Sequence, residues 1–387
     1  MYLPAVRYGG PVFAVHGLCR ALAAKGHDIE VFTTNVDGPG ISRVPVDSPV
    51  CLDGVSIRYF ASDILRRLFH SPSLARALKQ DIAAFDVVHL HSVFLWPTWA
   101  AARAARQADV PYLISPRGML VKELIRRRSW LPKTLWINLI ERTSFERAGA
   151  IHVTSELERI ELEKFGWKLP PVITVANGVD DPEGTAADVE ISADVRKLAE
   201  GRPLVLYFGR LSWKKGLHRL LQAFALTAGG TLAIAGTDDE NMFPRLFDLA
   251  RRLEIAERVR FLPRTVLGAD KEYLFAAAQL FVLPSDSENF GNTVLEAMRR
   301  GLPVVVTPEV GAAEIVRAAA GGIVVEGDPA SLAAAIARLV DDAGLAAALG
   351  KSGQRYVGEY CAWPRLAAKM EILYADLKSQ ARAQAVA

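Results

Sequence analysis

Residues 287–306 read SENFGNTVLEAMRRGLPVVV. The stretch opens with loop residues, passes through a glycine into a run with helical spacing, and ends on a β-branched run that suits a buried strand. A loop, a helix and a short strand in twenty residues is the rhythm of parallel α/β structure. Two glutamates, Glu288 and Glu296, lie on either side of Gly291, the first before the expected helix and the second about one turn inside it.

The same alternation runs in both directions from this stretch. Upstream, DIEVFTT (28–34), DVVHLH (86–91), PYLISP (111–116), AIHVTS (150–155) and PVITVANG (171–178) are strand-like, and VFAVHGLCRALAAKG (12–26) is a helix that stops at glycine. After the acidic segment 180–202 the rhythm restarts with PLVLYFG (203–209), TLAIAG (231–236), RVRFLP (258–263), LFVLPS (280–285), PVVVT (303–307) and GIVVE (322–326). With 387 residues, more than a single core usually supports, two domains follow. The expected architecture is α/β, with two doubly wound parallel-sheet domains facing a cleft. Residues 1–180 form the first domain, 181–364 the second, and 365–387 a helix packing back toward the first. Only eight residues precede Gly9 and Gly10, so a full first strand has little room there.

Composition narrows the class. The chain is 51% apolar and 23% charged with a formal charge of +3, an ordinary globular balance too small in charge to argue for nucleic acid. Cys19, Cys51 and Cys361 are odd in number and match no metal pattern, which points to free thiols in a reducing compartment and hence the cytoplasm. The sequence shows no apolar run near the roughly 20 residues of a bilayer span. Residues 117–147 are the most basic stretch, with eight Arg or Lys against three Glu and with Trp130 and Trp136 interleaved. They read either as a solvated helix pair or as a peripheral docking face for an anionic membrane.

Ligands of open parallel sheets bind beyond the carboxyl ends of the strands. Arg210 and Lys215 follow PLVLYFG, and two cations around one turn suit an anion. Gly291 and Asn292 open a helix whose free N–H groups suit a phosphate. Those cations and that helix end would together neutralise a diphosphate. Carboxylates at Glu288 and Glu296 are acceptors for sugar hydroxyls. His89 and His91 share a face of DVVHLH, but two such ligands without a carboxylate are too few for a metal. A P-loop fits poorly at GLAAALGKS (344–352), where five residues rather than four separate the glycines and no strand precedes. No G-x-G-x-x-G follows a strand, against a nicotinamide dehydrogenase.

Taken together, GRLSWKKG, PSDSENFGNTVLEAMRRGLPVV, NGVD and RYGGPVFAVHGLCRALAAKGHDIEVFTT resemble the retaining glycosyltransferases of family 4, which share the GT-B fold, over nearly the whole chain. The resemblance implies that Arg210 and Lys215 hold the diphosphate of a nucleotide-sugar donor, that Glu288 lies against the donor sugar, and that Glu296 receives the ribose. It implies that Gly10 faces the donor phosphates and that His91 lies near the transferred sugar. Arg117 stands where many relatives have histidine, on the acceptor side, where it would meet an anionic acceptor. The implied reaction moves a hexosyl-type sugar to a saccharide or lipid-linked acceptor, with retention and without metal or other cofactor, in polysaccharide synthesis at the cell surface. The sequence contains no D-x-D triplet. A GT-B nucleotide-sugar epimerase and a non-catalytic scaffold are the rival expectations.

Overall fold

The computed structural model describes residues 1–46, 48–127, 134–182 and 190–386. Trp130 of the basic stretch therefore lies outside the described residues. By contacts the chain divides into two units, Met1–Asn177 with Trp363–Ala387, and Gly178–Ala362.

In the first unit, chain order gives β1 (Glu30–Thr34), β2 (Val36–Asp37), β3 (Gly40–Ile41), β4 (Pro49–Leu52), β5 (Val55–Phe60), β6 (Val88–His91), β7 (Tyr112–Ser115), β8 (Ala150–Val153) and β9 (Val172–Thr174). They form a three-stranded sheet, β1-β5-β4, a small β2-β3 ribbon, and a four-stranded parallel sheet, β6-β7-β8-β9. Residues 6–8 make one 3-10 turn in place of a strand, and Gly9 (φ +71°) leads into the helix Gly10–Ala24. Nothing lies within 4 Å of the place a Gly9 Cβ would occupy, so the backbone angle, not crowding, asks for glycine there. The helix Trp363–Val386 belongs to this unit and shares a core with Gly10–Ala24 through Ala14, Leu18, Trp363, Leu366 and Met370. A Cβ on Gly17 would lie 2.4 Å from the Trp363 ring, so a bare backbone lets these helices close up.

The second unit holds β10 (Leu204–Phe208), β11 (Thr231–Ala235), β12 (Val259–Leu262), β13 (Leu280–Leu283), β14 (Val304–Val306) and β15 (Gly322–Val324). All six are parallel, in the order β12-β11-β10-β13-β14-β15. β11, β13 and β14 are buried along their whole length, as strands covered on both faces by helices must be. The strand order reverses between β10 and β13, the switch point at which such sheets open a crevice. GLAAALGKS falls inside the helix Ala343–Tyr360, with no strand leading into it. Cys19, Cys51 and Cys361 form no disulfide among the described residues.

Candidate functional site

Both loops at the switch point of the second unit carry residues singled out from the sequence. After β10, a 3-10 turn over Trp213–Lys215 ends at Gly216 in the left-handed region (φ +63°). A Cβ there would sit 1.9 Å from the carbonyl oxygen of Pro284, so only glycine lets this turn lie against the exit of β13. The two loops are then stitched together. Asp286 N–H donates to the Lys214 carbonyl at 2.7 Å, Arg219 Nε donates to the Pro284 carbonyl at 2.8 Å, and Arg219 pairs with Asp286 at 3.1 Å.

This stitching brings Lys215 and Glu288 into a direct ion pair, with both side chains less than one-fifth exposed. The Glu288 backbone is fixed on two sides, its N–H donating to the Glu309 carbonyl and its carbonyl accepting from Gly311 N–H, each at 3.0 Å. Burial, then the charges of Arg210 and Lys214, pull the Lys215 ammonium down to about 7. The Glu288 carboxylate is the opposing attraction. Arg210 is exposed and makes no ion pair among the described residues, so its charge is available at the surface of the same loop.

The helix Asn292–Arg299 starts where the spacing predicts, behind Gly291 in the left-handed region (φ +90°). Its N-cap residue, Gly291, has no side chain with which to cap it. Its buried face, Val294, Leu295, Ala297 and Met298, anchors it on the sheet and aims its amino end at the loop that carries Glu288. Glu296 sits one turn in, with Oε2 2.9 Å from Lys271 Nζ yet receiving no well-directed hydrogen bond. Its acceptor capacity is incompletely used.

The first unit has its own polar cluster at the carboxyl ends of β6 and β7. Arg117 is 8% exposed, adopts φ +55°, and donates through Nε and Nη2 to His91 Nδ1 (3.4 and 3.2 Å) and through Nη1 to Asn177 Oδ1 (2.8 Å). Ser92 and Phe94, just past His91, also have positive φ. Left-handed non-glycine residues cost about 1–3 kcal/mol each and concentrate at functional sites. Behind His91 runs a hydrogen-bonded chain. Tyr374 Oη meets His89 Nδ1 (2.8 Å), His89 Nε2 meets Ser115 Oγ (2.7 Å), Ser115 Oγ meets His152 Nδ1 (2.8 Å), and His152 Nε2 meets the Val175 carbonyl (2.9 Å). Burial holds all three imidazoles well below their usual range, His152 at about 3, and neighbouring positive charge lowers them further.

Sequence reading named Arg210, Lys215, Glu288, Gly291, Asn292 and Glu296, and the structure places all six around the switch-point loops of one unit. It places Gly10, His91 and Arg117 in the other. Reading missed the supports. Glu240 accepts from Ser212 Oγ (3.0 Å) and Trp213 N–H (3.2 Å), steadying the Lys215 turn. Glu158 accepts from Gly118 N–H (2.6 Å) and from Thr154 N–H and Oγ1 (2.8 Å each), holding the Arg117 loop. The signal for Glu158 was present, since Ser155 three residues earlier marks a helix start whose side chain caps the Glu158 N–H. Glu240 had none. Among the described residues no cluster of His, Cys, Asp or Glu could hold a metal, and no helix is long and apolar enough to cross a membrane.

Comparison with known proteins agrees with this architecture. The model for a glycosyl transferase 4-like domain matches residues 9–178, and that for glycosyl transferases group 1 matches residues 188–356. Glycogen synthase of Mycobacterium tuberculosis is 28% identical over 97% of this chain and 93% of its own length. Among solved structures, sucrose-phosphate synthase from Thermosynechococcus elongatus superimposes with a TM-score of 0.75 at 25% identity, covering 96% of this chain and 94% of that one. HepE of Anabaena, solved in complex with UDP-glucose, gives 0.70 at 19% identity, covering 95% and 96%. With one matched domain in each unit and a solved neighbour along nearly its whole length, the chain belongs to the GT-B glycosyltransferases, as a member of the group that pairs a glycosyl transferase 4-like domain with a group 1 domain.

Proposed function

We propose that this chain moves a hexosyl-type sugar from a nucleotide-diphosphate donor to a hydroxyl of a saccharide or lipid-linked acceptor, retaining the anomeric configuration and needing no metal, in the synthesis of cell-surface polysaccharide. The observation that carries the reading is the convergence of Lys215, Glu288 and a helix amino end on the switch point between β10 and β13. That crevice is where nucleotides bind sheets of this order.

In the proposed reaction the bond from the anomeric carbon to the diphosphate oxygen breaks and a bond to the acceptor oxygen forms on the same face. The acceptor's proton passes to the leaving diphosphate. Negative charge grows on that leaving group, and Arg210, Lys215 and the helix amino end at Gly291 and Asn292 would receive it. Glu288, beside Lys215, takes a hydroxyl of the donor sugar. Glu296 takes the ribose hydroxyls. Gly10 leaves the backbone bare near the phosphates, and His91 and Arg117 act on the sugar and acceptor side.

Arg210→Ala should weaken donor binding or turnover by about 2 kcal/mol, the scale of a charge-assisted hydrogen bond. Calorimetry with UDP and initial rates with nucleotide sugars measure it. Unchanged values would remove the diphosphate assignment. Incubating a nucleotide sugar without acceptor separates transfer from epimerisation, since only an epimerase releases a new free nucleotide sugar.

Peripheral membrane contact is a second element of the proposal. Leu135 and Leu139 are 61% and 67% exposed on the helical segment after residue 133, within the basic stretch, an arrangement suited to an interface. Sedimentation with anionic vesicles should carry the protein down at low ionic strength and release it in salt. Protein left in the supernatant at low salt would remove the membrane role.

A further inference from the structure

The proton arrangement around His91 follows from its partners. A guanidinium has only donors, so the two Arg117 N–H groups directed at His91 Nδ1 require that nitrogen to be an acceptor. A neutral ring then carries its proton on Nε2. That nitrogen makes no hydrogen bond among the described residues and is not sealed from solvent. It lies at the carboxyl end of β6, next to the left-handed Ser92.

The chain behind it has one direction as well. A carbonyl oxygen can only accept, so His152 donates from Nε2 to Val175 and accepts at Nδ1 from Ser115. The single Ser115 hydroxyl proton is thereby used, and His89 donates to Ser115 from Nε2 and accepts at Nδ1 from Tyr374. His89, tilted against His91 with ring centroids 4.0 Å apart, is thus fully satisfied as a neutral ring.

We propose that Arg117 is a positioning residue that locks His91 as the neutral Nε2–H tautomer, so that His91 meets a ligand oxygen only as a hydrogen-bond donor. The ligand class is an oxygen acceptor such as a sugar hydroxyl or ring oxygen. General-base action by His91 is excluded, because its one free nitrogen already bears a proton. This inference rests on the proposed placing of His91 against the transferred sugar. It differs from the expected direct contact between Arg117 and an anionic acceptor, because three Arg117 nitrogens are committed to His91 and Asn177.

The charged and titratable groups around His91 are Arg117 from the loop after β7, His89 on its own strand, His152 on β8 and the α-amino group at Met1. Glu158, then Tyr374 and Cys19, act in turn on Arg117. None of the groups acting directly on His91 is a carboxylate that would favour its protonation.

The test uses the full chain labelled with 15N-histidine, with His91 assigned through His91→Gln. Long-range 1H–15N spectra should show His91 protonated at Nε2 and unprotonated at Nδ1 from about pH 5.5 to 8, and turnover should show no His91 inflection in that range. Arg117→Met should release the ring, giving mixed tautomers and a titration that moves up from the wild-type position while burial still holds it below the ordinary histidine range, with a His91-linked loss of turnover appearing at the acid end. Spectra distinguish His91 from the Met1 amine. Arg117→Lys, which keeps one donor, should restore the wild-type signature, and it supplies the reading if the methionine variant does not fold. An Nδ1–H or imidazolium signature in the wild type overturns the lock, as does an unaltered signature in Arg117→Met. A wild type with the expected signature but no transfer to any acceptor would sink the proposed function and leave the lock standing.

Discussion

Lys215→Met should lower the stability of the Gly178–Ala362 unit by about 2–3 kcal/mol and weaken binding of a nucleoside diphosphate by at least about thirtyfold. The two losses have separate origins. Lys215 and Glu288 are each less than one-fifth exposed, so removing one strands the other's charge where water screens it poorly. Measured costs of breaking buried pairs run to about 3–5 kcal/mol, and the remaining exposure here places this pair at or below the low end. The binding loss is that of a charge-assisted contact to a diphosphate oxygen, about 2 kcal/mol, which is close to thirtyfold. A double variant separates the two. In Lys215→Met with Glu288→Met no buried charge is left over, so most of the stability should return, while donor affinity stays low and turnover falls by at least about a hundredfold for want of fixed charge at the leaving group. Urea unfolding followed with calorimetric titration of UDP reads both. Donor affinity that recovers with stability would mean that the pair only holds the loops together, and the diphosphate would have to be sought elsewhere.

That pair also marks how far the sequence could be read. All eleven strand runs named from sequence contain a strand, because β-branched runs bounded by Gly and Pro carry their signal locally. The hairpin of β4 and β5 was missed, although Asp53-Gly54, both with positive φ, forms the two-residue turn of a tight hairpin between Leu52 and Val55. The site was legible by position. Residues just past β10 and β13 must meet if those strands are neighbours at a switch point, and the placing of Lys215, Glu288 and the Asn292 helix start needed nothing more. The pairings were not legible. Lys271 reaches Glu296 and Glu240 reaches the Lys215 turn from elements whose side-chain directions depend on tertiary packing, which no local pattern encodes. The histidines illustrate the same boundary. DVVHLH shows that His89 and His91 share a face, but Ser115, His152 and Tyr374, which decide their protons, come from three other elements.

Those three neutral histidines predict an unusually steep acid sensitivity for the other unit. Each imidazole is held neutral when folded, chiefly by burial, and each takes a proton freely once unfolded, near pH 6.5. For a base whose folded pKa is depressed, the unfolded state binds more protons below its own pKa, so stability is whole above about pH 6.5 and falls as the pH drops below it. For His152 the fall continues toward about 3. Each such ring contributes a slope of up to about 1.4 kcal/mol per pH unit; His152, held near 3, alone removes about 2 kcal/mol between about pH 6.5 and 5, and His89 and His91 act in the same direction. A domain's whole stability is about 5–15 kcal/mol, so the unit should lose much of its stability at a pH where most carboxylates are still ionised. Urea unfolding by tryptophan fluorescence suits the measurement, since Trp213 is the one tryptophan of seven between residues 178 and 362. His152→Gln keeps a donor toward Val175 and cannot titrate, so the slope above about pH 5 should fall by about 1.4 kcal/mol per pH unit. A stability that stays level from pH 7 to 5, or a slope untouched by that substitution, would mean that the rings are charged when folded, and the one-directional chain from Tyr374 to Val175 could not exist as drawn.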